Sequence, residues 1–312
     1  MLSFISYLVS GLSLGAIYAL IAIGYTMVYG IAKMLNFAHG DIIMIGGYAA
    51  FITMAASWCP LWLAMIITVV ICTVLGVVIE KVAYKPLRGA PPLAVLITAI
   101  GVSYLLQNIA LLTQGSDPKT FTSIAKGAPP FLQVFEGKAP LFFSQNIYED
   151  VNPVMLISME TFLSIVVSVI LMIALTLFIN KTKMGKAMLA CSEDRGAAQL
   201  MGINVNGTIM LTFAIGSALA AVAALLMCSS YPQITPYTGS MPGIKAFVAA
   251  VFGGIGIIPG AMIGGKLLGI IELLSTAYIS PQLSNAIVFL VLIVVLIVRP
   301  TGIMGKKINE KV

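Results

Sequence analysis

Residues that could carry out chemistry are few in this chain and lie far apart. A single histidine, His39, and four scattered cysteines without a Cys-X-X-Cys pair cannot supply the clustered ligands of a metal site. The sequence has no His-Glu-X-X-His motif, no nucleophile elbow and no paired carboxylates. Residues 260–266 have the spacing of a phosphate-binding loop, but Leu267 stands where a Ser or Thr would bind magnesium. We therefore expect no catalytic residue, no metal and no cofactor in this chain, and a membrane enzyme is a poor interpretation.

Polar residues within apolar stretches are the remaining candidates for a functional site. Asn36, His39 and Asp41 lie close together between two apolar stretches, and Glu272 stands almost alone inside another. Ionisable groups at membrane depth are expensive, so each is a functional candidate by default. We predict that the first three residues lie near a translocation path, although a capped helix start explains them equally well. Glu272 is a candidate for the same path, and the alternative is an ion pair or hydrogen bond to another helix.

Glycines crowd the segment 251–265 and include Gly253, Gly254 and Gly256. Such a density is tolerated at membrane depth only where the backbone is buried in protein or lines a water-filled cavity. A broken helix beside a translocation path is one interpretation. A tight helical hairpin at the cytoplasmic face is the other.

The composition places these residues in a membrane. Of the 312 residues, 60% are hydrophobic and 9% charged, against ~45–50% and ~25% in soluble domains. A net charge of +6 is small for a nucleic-acid binder, and we expect no nucleic-acid partner. Segments long enough to span lipid cover residues 3–29, 92–113, 161–179, 208–228, 259–279 and 283–298, with a close pair at 41–57 and 61–79 and a shorter, Gly-rich segment at 243–258. This pattern predicts an all-α polytopic membrane protein with eight or nine transmembrane helices in a single domain, residues 1–312.

The distribution of basic residues predicts the orientation. Most of the 17 basic residues fall in the loop after the third span, in the loop 180–207 and in the C-terminal tail. By the positive-inside rule these regions and the C-terminus are cytoplasmic, and the Pro-rich loop 114–152 is external. Nine crossings would leave the N-terminus outside the cell and eight would leave it inside.

The loop 180–207 carries a candidate docking helix. Ser192 can cap a short helix that has Glu193 and Asp194 in its first turn and ends at Gly202. Ala197, Ala198 and Met201 would form a small apolar face, which suits docking into a groove of a partner protein. The alternative is an interfacial helix resting on lipid headgroups, but the large apolar anchors of such helices are missing.

Several blocks resemble one transporter family. Residues 197–202 resemble the motif by which permeases of ATP-binding-cassette importers engage their ATPases, with Gly196 in place of the usual Glu. More specifically, the chain resembles branched-chain amino-acid permeases of the LivH type. The matching blocks are residues 15–30, 36–40, 183–187, 191–194, 243–247, 253–256, 259–265 and 299–302.

The resemblance implies half of a translocation path in the bacterial inner membrane. It also implies a second related permease subunit, two cytoplasmic ATPase subunits that bind ATP and magnesium, and an extracytoplasmic substrate-binding protein. The residues implied in ATPase coupling are Ser192, Glu193, Arg195, Ala197, Ala198, Met201, Gly202 and Ile203. Leucine, isoleucine and valine are the expected cargo.

Two alternatives to this function stay open. Relatives in the family carry other amino acids, amides or urea, so the cargo could differ. An ion-coupled secondary transporter is the rival from another class. Such carriers place acids or ion ligands at the midplane, where Glu272 is nearly alone in this sequence.

Overall fold

The structure is a computed structural model that describes residues 2–56, 59–135, 140–144, 153 and 155–305. The helices are α1 (Leu2–Ala32), α2 (His39–Ala55), α3 (Leu61–Ile79), α4 (Pro92–Gln114), α5 (Met159–Lys181), α6 (Lys183–Glu193), α7 (Arg195–Leu200), α8 (Val205–Ser230), α9 (Ser240–Gly253), α10 (Ile258–Tyr278) and α11 (Pro281–Val298). The strands are β1 (Lys119–Thr120), β2 (Leu132–Val134), β3 (Leu141–Phe142), β4 (Met155–Ile157) and β5 (Gln233–Ile234). A π-helical turn (Glu80–Tyr84) and a 3-10 turn (Lys85–Leu87) follow α3.

The predicted membrane segments are helical over most of their described residues, which confirms the all-α polytopic fold class. A helix satisfies its own backbone hydrogen bonds, as a segment in hydrocarbon must. Within the described residues, seven helices are long and apolar enough to cross a membrane, namely α1, α3, α4, α5, α8, α10 and α11. Because α2 and α9 have only 17 and 14 residues, the predicted count of eight or nine crossings is not confirmed.

Close backbone contact between α1 and α10 forms the centre of the bundle. The two helices pack along most of their length, and α8 lies against α1 on another side. A Cβ atom added at Gly15 would lie 2.6 Å from Lys266 Cα, and one added at Gly265 would lie 2.5 Å from Ala19 Cα. Small residues therefore set the distance between these helices, as van der Waals packing in lipid requires.

Alanine substitutions at two glycines should have opposite effects on stability. We expect Gly15→Ala to destabilise the protein by about 1–3 kcal/mol, because the new methyl group overlaps the backbone of α10. Gly101→Ala on α4 is the matched control, since a Cβ there meets nothing within 4 Å. The control should be neutral or stabilising by up to about 1 kcal/mol through helix propensity. Thermal unfolding in detergent measures both, and equal effects would contradict the α1–α10 contact.

The loops divide between two ends of the bundle. At one end, Arg88 donates to Asn206 and Arg195 donates to the carbonyl of Ala32 at the end of α1. Gly254 and Gly305 also meet there. We call this the basic end, because it holds the described parts of all three basic regions; Lys306, Lys307 and Lys311 lie outside the described residues. The sequence prediction that these regions share one side agrees with these contacts.

The opposite end holds the N-terminal part of α1 and the strands. Phe4 and Tyr278 lie with ring centroids 6.4 Å apart, so α1 begins where α10 ends. Strand β1 pairs with β5, and β2 lies between β3 and β4 in a small antiparallel sheet. The prediction of a loop at residues 114–152 does not include strands, but β1, β2 and β3 lie within it. The N-terminal helix thus begins at the end away from the basic loops, as nine crossings would require.

Candidate translocation path and coupling surface

Two short helices, α2 and α9, begin side by side inside the bundle. A Cβ at Gly40 would lie 2.5 Å from the carbonyl oxygen of Gly239, and a Cβ at Gly243 would lie 2.8 Å from Gly40 Cα. The start of α2 also lies beside Gly24, about two turns inside α1. Both helix starts are therefore surrounded by longer helices rather than placed at their ends. The first N–H groups of a helix lack partners within it, so this junction needs polar groups from elsewhere.

A buried polar layer lies at this junction. Gln107 of α4 donates from Nε2 to Asp41 Oδ1 of α2 at 2.8 Å. The same Nε2 lies 3.2 Å from Ser240 Oγ at the start of α9 and 3.1 Å from Ser103 Oγ. Both Gln107 and Asp41 are buried. One amide thus joins three helices around a carboxylate, and we call Asp41, Ser103, Gln107 and Ser240 the polar layer.

Asn36 and His39 lie near Asp41 in sequence but face other neighbours. The Tyr84 hydroxyl donates to Asn36 Oδ1 at 2.8 Å. The His39 ring packs edge to face against Tyr25, with centroids 4.8 Å apart. Within the described residues, Asn36 Nδ2 and His39 Nε2 are buried without a hydrogen-bond partner. The three predicted residues therefore lie around the start of α2, but each side chain contacts a different part of the bundle.

Glu272 is paired with another helix. Its Oε1 accepts a hydrogen bond from Lys245 Nζ of α9 at 2.6 Å, and both side chains are almost fully buried. Lys245 Nζ also lies 5.9 Å from the centre of the Tyr18 ring. The ion-pair alternative is confirmed, and it gives no support for Glu272 as a free acid on a path. The charge of Lys245 is thus neutralised inside the bundle.

The Gly-rich segment forms a hairpin. Helix α9 ends at Gly253 and α10 begins at Ile258, and the two helices pack against each other. Gly254 and Gly256 have φ of +107° and +92°, a region that other residues rarely adopt. The C-terminal segment covers this turn, since Ile303 N donates to Phe252 O at 2.9 Å. The segment is therefore a helical hairpin at the basic end, which is one of the two interpretations of the sequence. It is not a helix broken at Gly253, Gly254 and Gly256.

The predicted start of the docking helix is wrong. Ser192 and Glu193 form the last turn of α6, where the Ser192 hydroxyl donates to Leu189 O. The cap of α7 is Asp194, whose Oδ1 accepts from Gly196 N at 2.7 Å and from Ala197 N at 3.1 Å. Burial of Met188 and Cys191 in the core holds α6 helical through this point, so the break comes two residues later than predicted. Gly202, with φ of +82°, follows the helix as predicted.

The exposed face of α7 also differs from the predicted one. Ala198 is only 3% exposed and packs inward, whereas Leu200 is 90% exposed and Met201 is 83% exposed. Ala197 is exposed and Ile203 is half-buried. Arg195 fixes α7 to the end of α1 through its bond to Ala32. We call Ala197, Leu200 and Met201 the α7 surface, on which two large apolar side chains are exposed.

Gln107, Ser240 and Leu200 are not among the site residues predicted from the sequence. A glutamine in the middle of the apolar span 92–113 is the signal that could have pointed to Gln107, because a buried amide needs partners. Leu200 is three residues after Ala197 and can share a face with it, but the predicted face included Ala198, which is buried. Ser240 has no signal of its own in the sequence.

Comparison with known proteins identifies relatives along the whole chain. Residues 7–296 match the family described as "Branched-chain amino acid transport system / permease component". The chain is 45% identical to the high-affinity branched-chain amino acid transport system permease protein LivH of Salmonella typhimurium, over 100% of this chain and 98% of that protein. It is 44% identical to the corresponding permease protein BraD of Pseudomonas aeruginosa, over 99% and 98% of the two chains. A probable LivH of Methanocaldococcus jannaschii is 30% identical over 92% of this chain and 88% of that protein.

Proposed function

Because the chain belongs to the permease-component family of branched-chain amino acid transport systems, we propose that it forms half of the path for leucine, isoleucine and valine in an ATP-binding-cassette importer. The chain is a multi-pass protein of the inner membrane and a transport subunit rather than an enzyme. Other small neutral solutes, such as further amino acids, amides or urea, remain the alternative cargo.

The proposed orientation places the basic end in the cytoplasm. The positive-inside rule favours this side for the described lysines and arginines at 81–88 and 181–195. Two ATPase subunits, which hold the ATP and magnesium, would then dock on the α7 surface. The substrate-binding protein would deliver cargo at the opposite end, and a second related permease would complete the path.

The proposed path passes the polar layer, and the observation that supports it is the junction of α2 and α9 inside the bundle. Helix N-termini at membrane depth carry partial positive charge, which suits the carboxylate of an amino acid. The nearby Asp41 carboxylate suits its ammonium group. Asn36 Nδ2 and His39 Nε2 lack partners in the described part of the chain, so this region has hydrogen-bonding capacity to spare. A zwitterion with an apolar side chain fits such surroundings.

Leucine uptake by the assembled transporter tests both the function and the path. We expect Gln107→Ala to lower uptake about ten-fold or more, because a hydrogen bond to a charged group is lost at Asp41. Asn108→Ala is the matched control, since Asn108 is exposed and its amide donates only to Tyr104 O of its own helix. Membrane abundance, measured by immunoblot, should be similar for both variants.

Two outcomes would count against the proposal. If Gln107→Ala and Asn108→Ala transport equally well, the polar layer does not line the path. If urea or an amide competes with leucine while isoleucine and valine do not, the cargo belongs to the alternative class.

A further inference from the structure

Two cavities meet at the basic end, beside α7. The first is an apolar groove of about 460 Å³ between α3, α6 and α8. The second is a polar pocket of about 300 Å³ between the turn after α3, α7 and the start of α8. Ile203 and Asn204, which connect α7 to α8, line both cavities. The two cavities are therefore adjacent, and we treat them as one site with an apolar and a polar half.

The polar half carries an excess of positive charge. Both Arg88 and Arg195 line it. Arg88 pairs with the buried carboxylate of Glu80, and Arg195 binds only the Ala32 carbonyl among its described partners. The Nε atom of Arg88 is buried and has no hydrogen-bond partner within the described residues. Asp194, the nearest acid in sequence, is exposed and caps α7. One guanidinium charge therefore has no carboxylate opposite to it.

The surroundings of the pocket add to this charge. Lysines on the turn after α3 and on α6 are exposed, and the ion pairs of the described residues involve none of them: Lys81, Lys85, Lys183 and Lys186. Exposed basic residues at a membrane surface attract anionic headgroups. Asn206, Gln199 and Asn204 add further polar groups along the pocket wall.

The apolar half is lined in part by α3 and α8, two of the helices long and apolar enough to cross a membrane. Its walls include Val77 in the last turn of α3 and Met210, Leu211 and Ala214 within about the first three turns of α8. Beside Val77, α3 exposes an apolar stripe at four-residue spacing, comprising Trp62, Ile66, Val70, Val74 and Val78. The groove is thus continuous with an apolar helix face that meets the bilayer.

We propose that this site binds one anionic phospholipid of the leaflet at the basic end. An acyl chain lies in the groove, and the headgroup phosphate accepts hydrogen bonds from the Arg195 guanidinium. The lipid would contact Ile203 and Asn204, the residues that connect α7 to α8. This inference goes beyond the proposed function and does not depend on the cargo.

Native mass spectrometry of the assembled transporter tests the proposal. The complex is purified from membranes, incubated with phosphatidylglycerol or phosphatidylcholine, and examined for retained lipid. We expect a preference of about ten-fold or more for phosphatidylglycerol, the size expected of a charge-assisted hydrogen bond. Arg195→Gln should remove the preference and Arg195→Lys should keep most of it. Ala214→Phe, which fills the groove, should reduce retention of phosphatidylglycerol.

Arg299→Gln is the matched control, since it removes an exposed charge at the same end but outside the site. Equal retention of phosphatidylglycerol by the wild type, Arg195→Gln and Ala214→Phe would overturn the proposal. So would binding by the isolated chain that disappears in the assembled transporter, because an ATPase would then cover the pocket. Lipid retention is measured without leucine uptake, so a failure of the proposed transport function would not change the lipid result.

Discussion

Replacing Leu200 or Met201 with glutamate should abolish co-purification of the ATPase subunits, with binding weakened by about 100-fold or more. Both side chains are almost fully exposed on the α7 surface. Buried apolar anchors at the centre of an interface are each worth about 2–4 kcal/mol, and a charge in their place adds a desolvation cost. Insertion into the membrane should be unchanged, because it depends on the apolar spans.

Tyr237→Glu is the matched control for this experiment, since Tyr237 is an exposed large side chain close to β5, away from the basic end. Pull-down of the ATPases by an affinity tag on this chain measures the effect. Normal co-purification with Leu200→Glu and Met201→Glu would show that the ATPases bind elsewhere. Ala198→Glu is less informative than either, because Ala198 is buried and a charge there would disturb the packing of α7 itself.

Removing one partner of the Lys245–Glu272 pair should strongly destabilise the protein. We expect Lys245→Met to cost about 3–5 kcal/mol, because it leaves a buried carboxylate without its counter-charge. Lys266→Met on α10 is the control, since Lys266 is half-buried and is in neither ion pair of the described residues. The midpoint of thermal unfolding in detergent should fall for the first variant and change little for the second.

The double variant Lys245→Met/Glu272→Met separates the pair from its individual charges. Replacing a whole buried ion pair with apolar side chains is often neutral, so most of the lost stability should return. A double variant as unstable as the sum of the two single variants would show that the residues act independently. In that case the pair would not be what joins α9 to α10.

The seven long helices could be predicted from the sequence because each is a long apolar run. Hydropathy does not show how far inside the bundle a helix begins. Residues 41–57 and 243–258 looked like ordinary or slightly short spans, but α2 and α9 begin beside each other inside the bundle. That arrangement depends on Gly40 and Gly239 touching across a large sequence distance, which a one-dimensional pattern cannot show.

The candidate site was predictable only in part, for the same reason. The sequence identified Asn36, His39 and Asp41, but their different directions follow from where α1 and α4 pack. For Glu272 the sequence indicates an ion pair or hydrogen bond to another helix, but it does not identify Lys245 as the partner. At α7, Ser192 and Asp194 are both good helix caps, and only the burial of α6 decides between them.

Reconstitution in proteoliposomes tests most directly whether this chain is a permease of an ATP-driven importer. Leucine uptake is measured with the second permease, the binding protein and ATP present, with and without the ATPase subunits, and then after an ionophore is added. We expect uptake only with the ATPases and no effect of the ionophore, because a zwitterion carries no net charge for the membrane potential to move. Uptake by this chain alone that the ionophore abolishes would contradict the importer function and favour an ion-coupled secondary transporter.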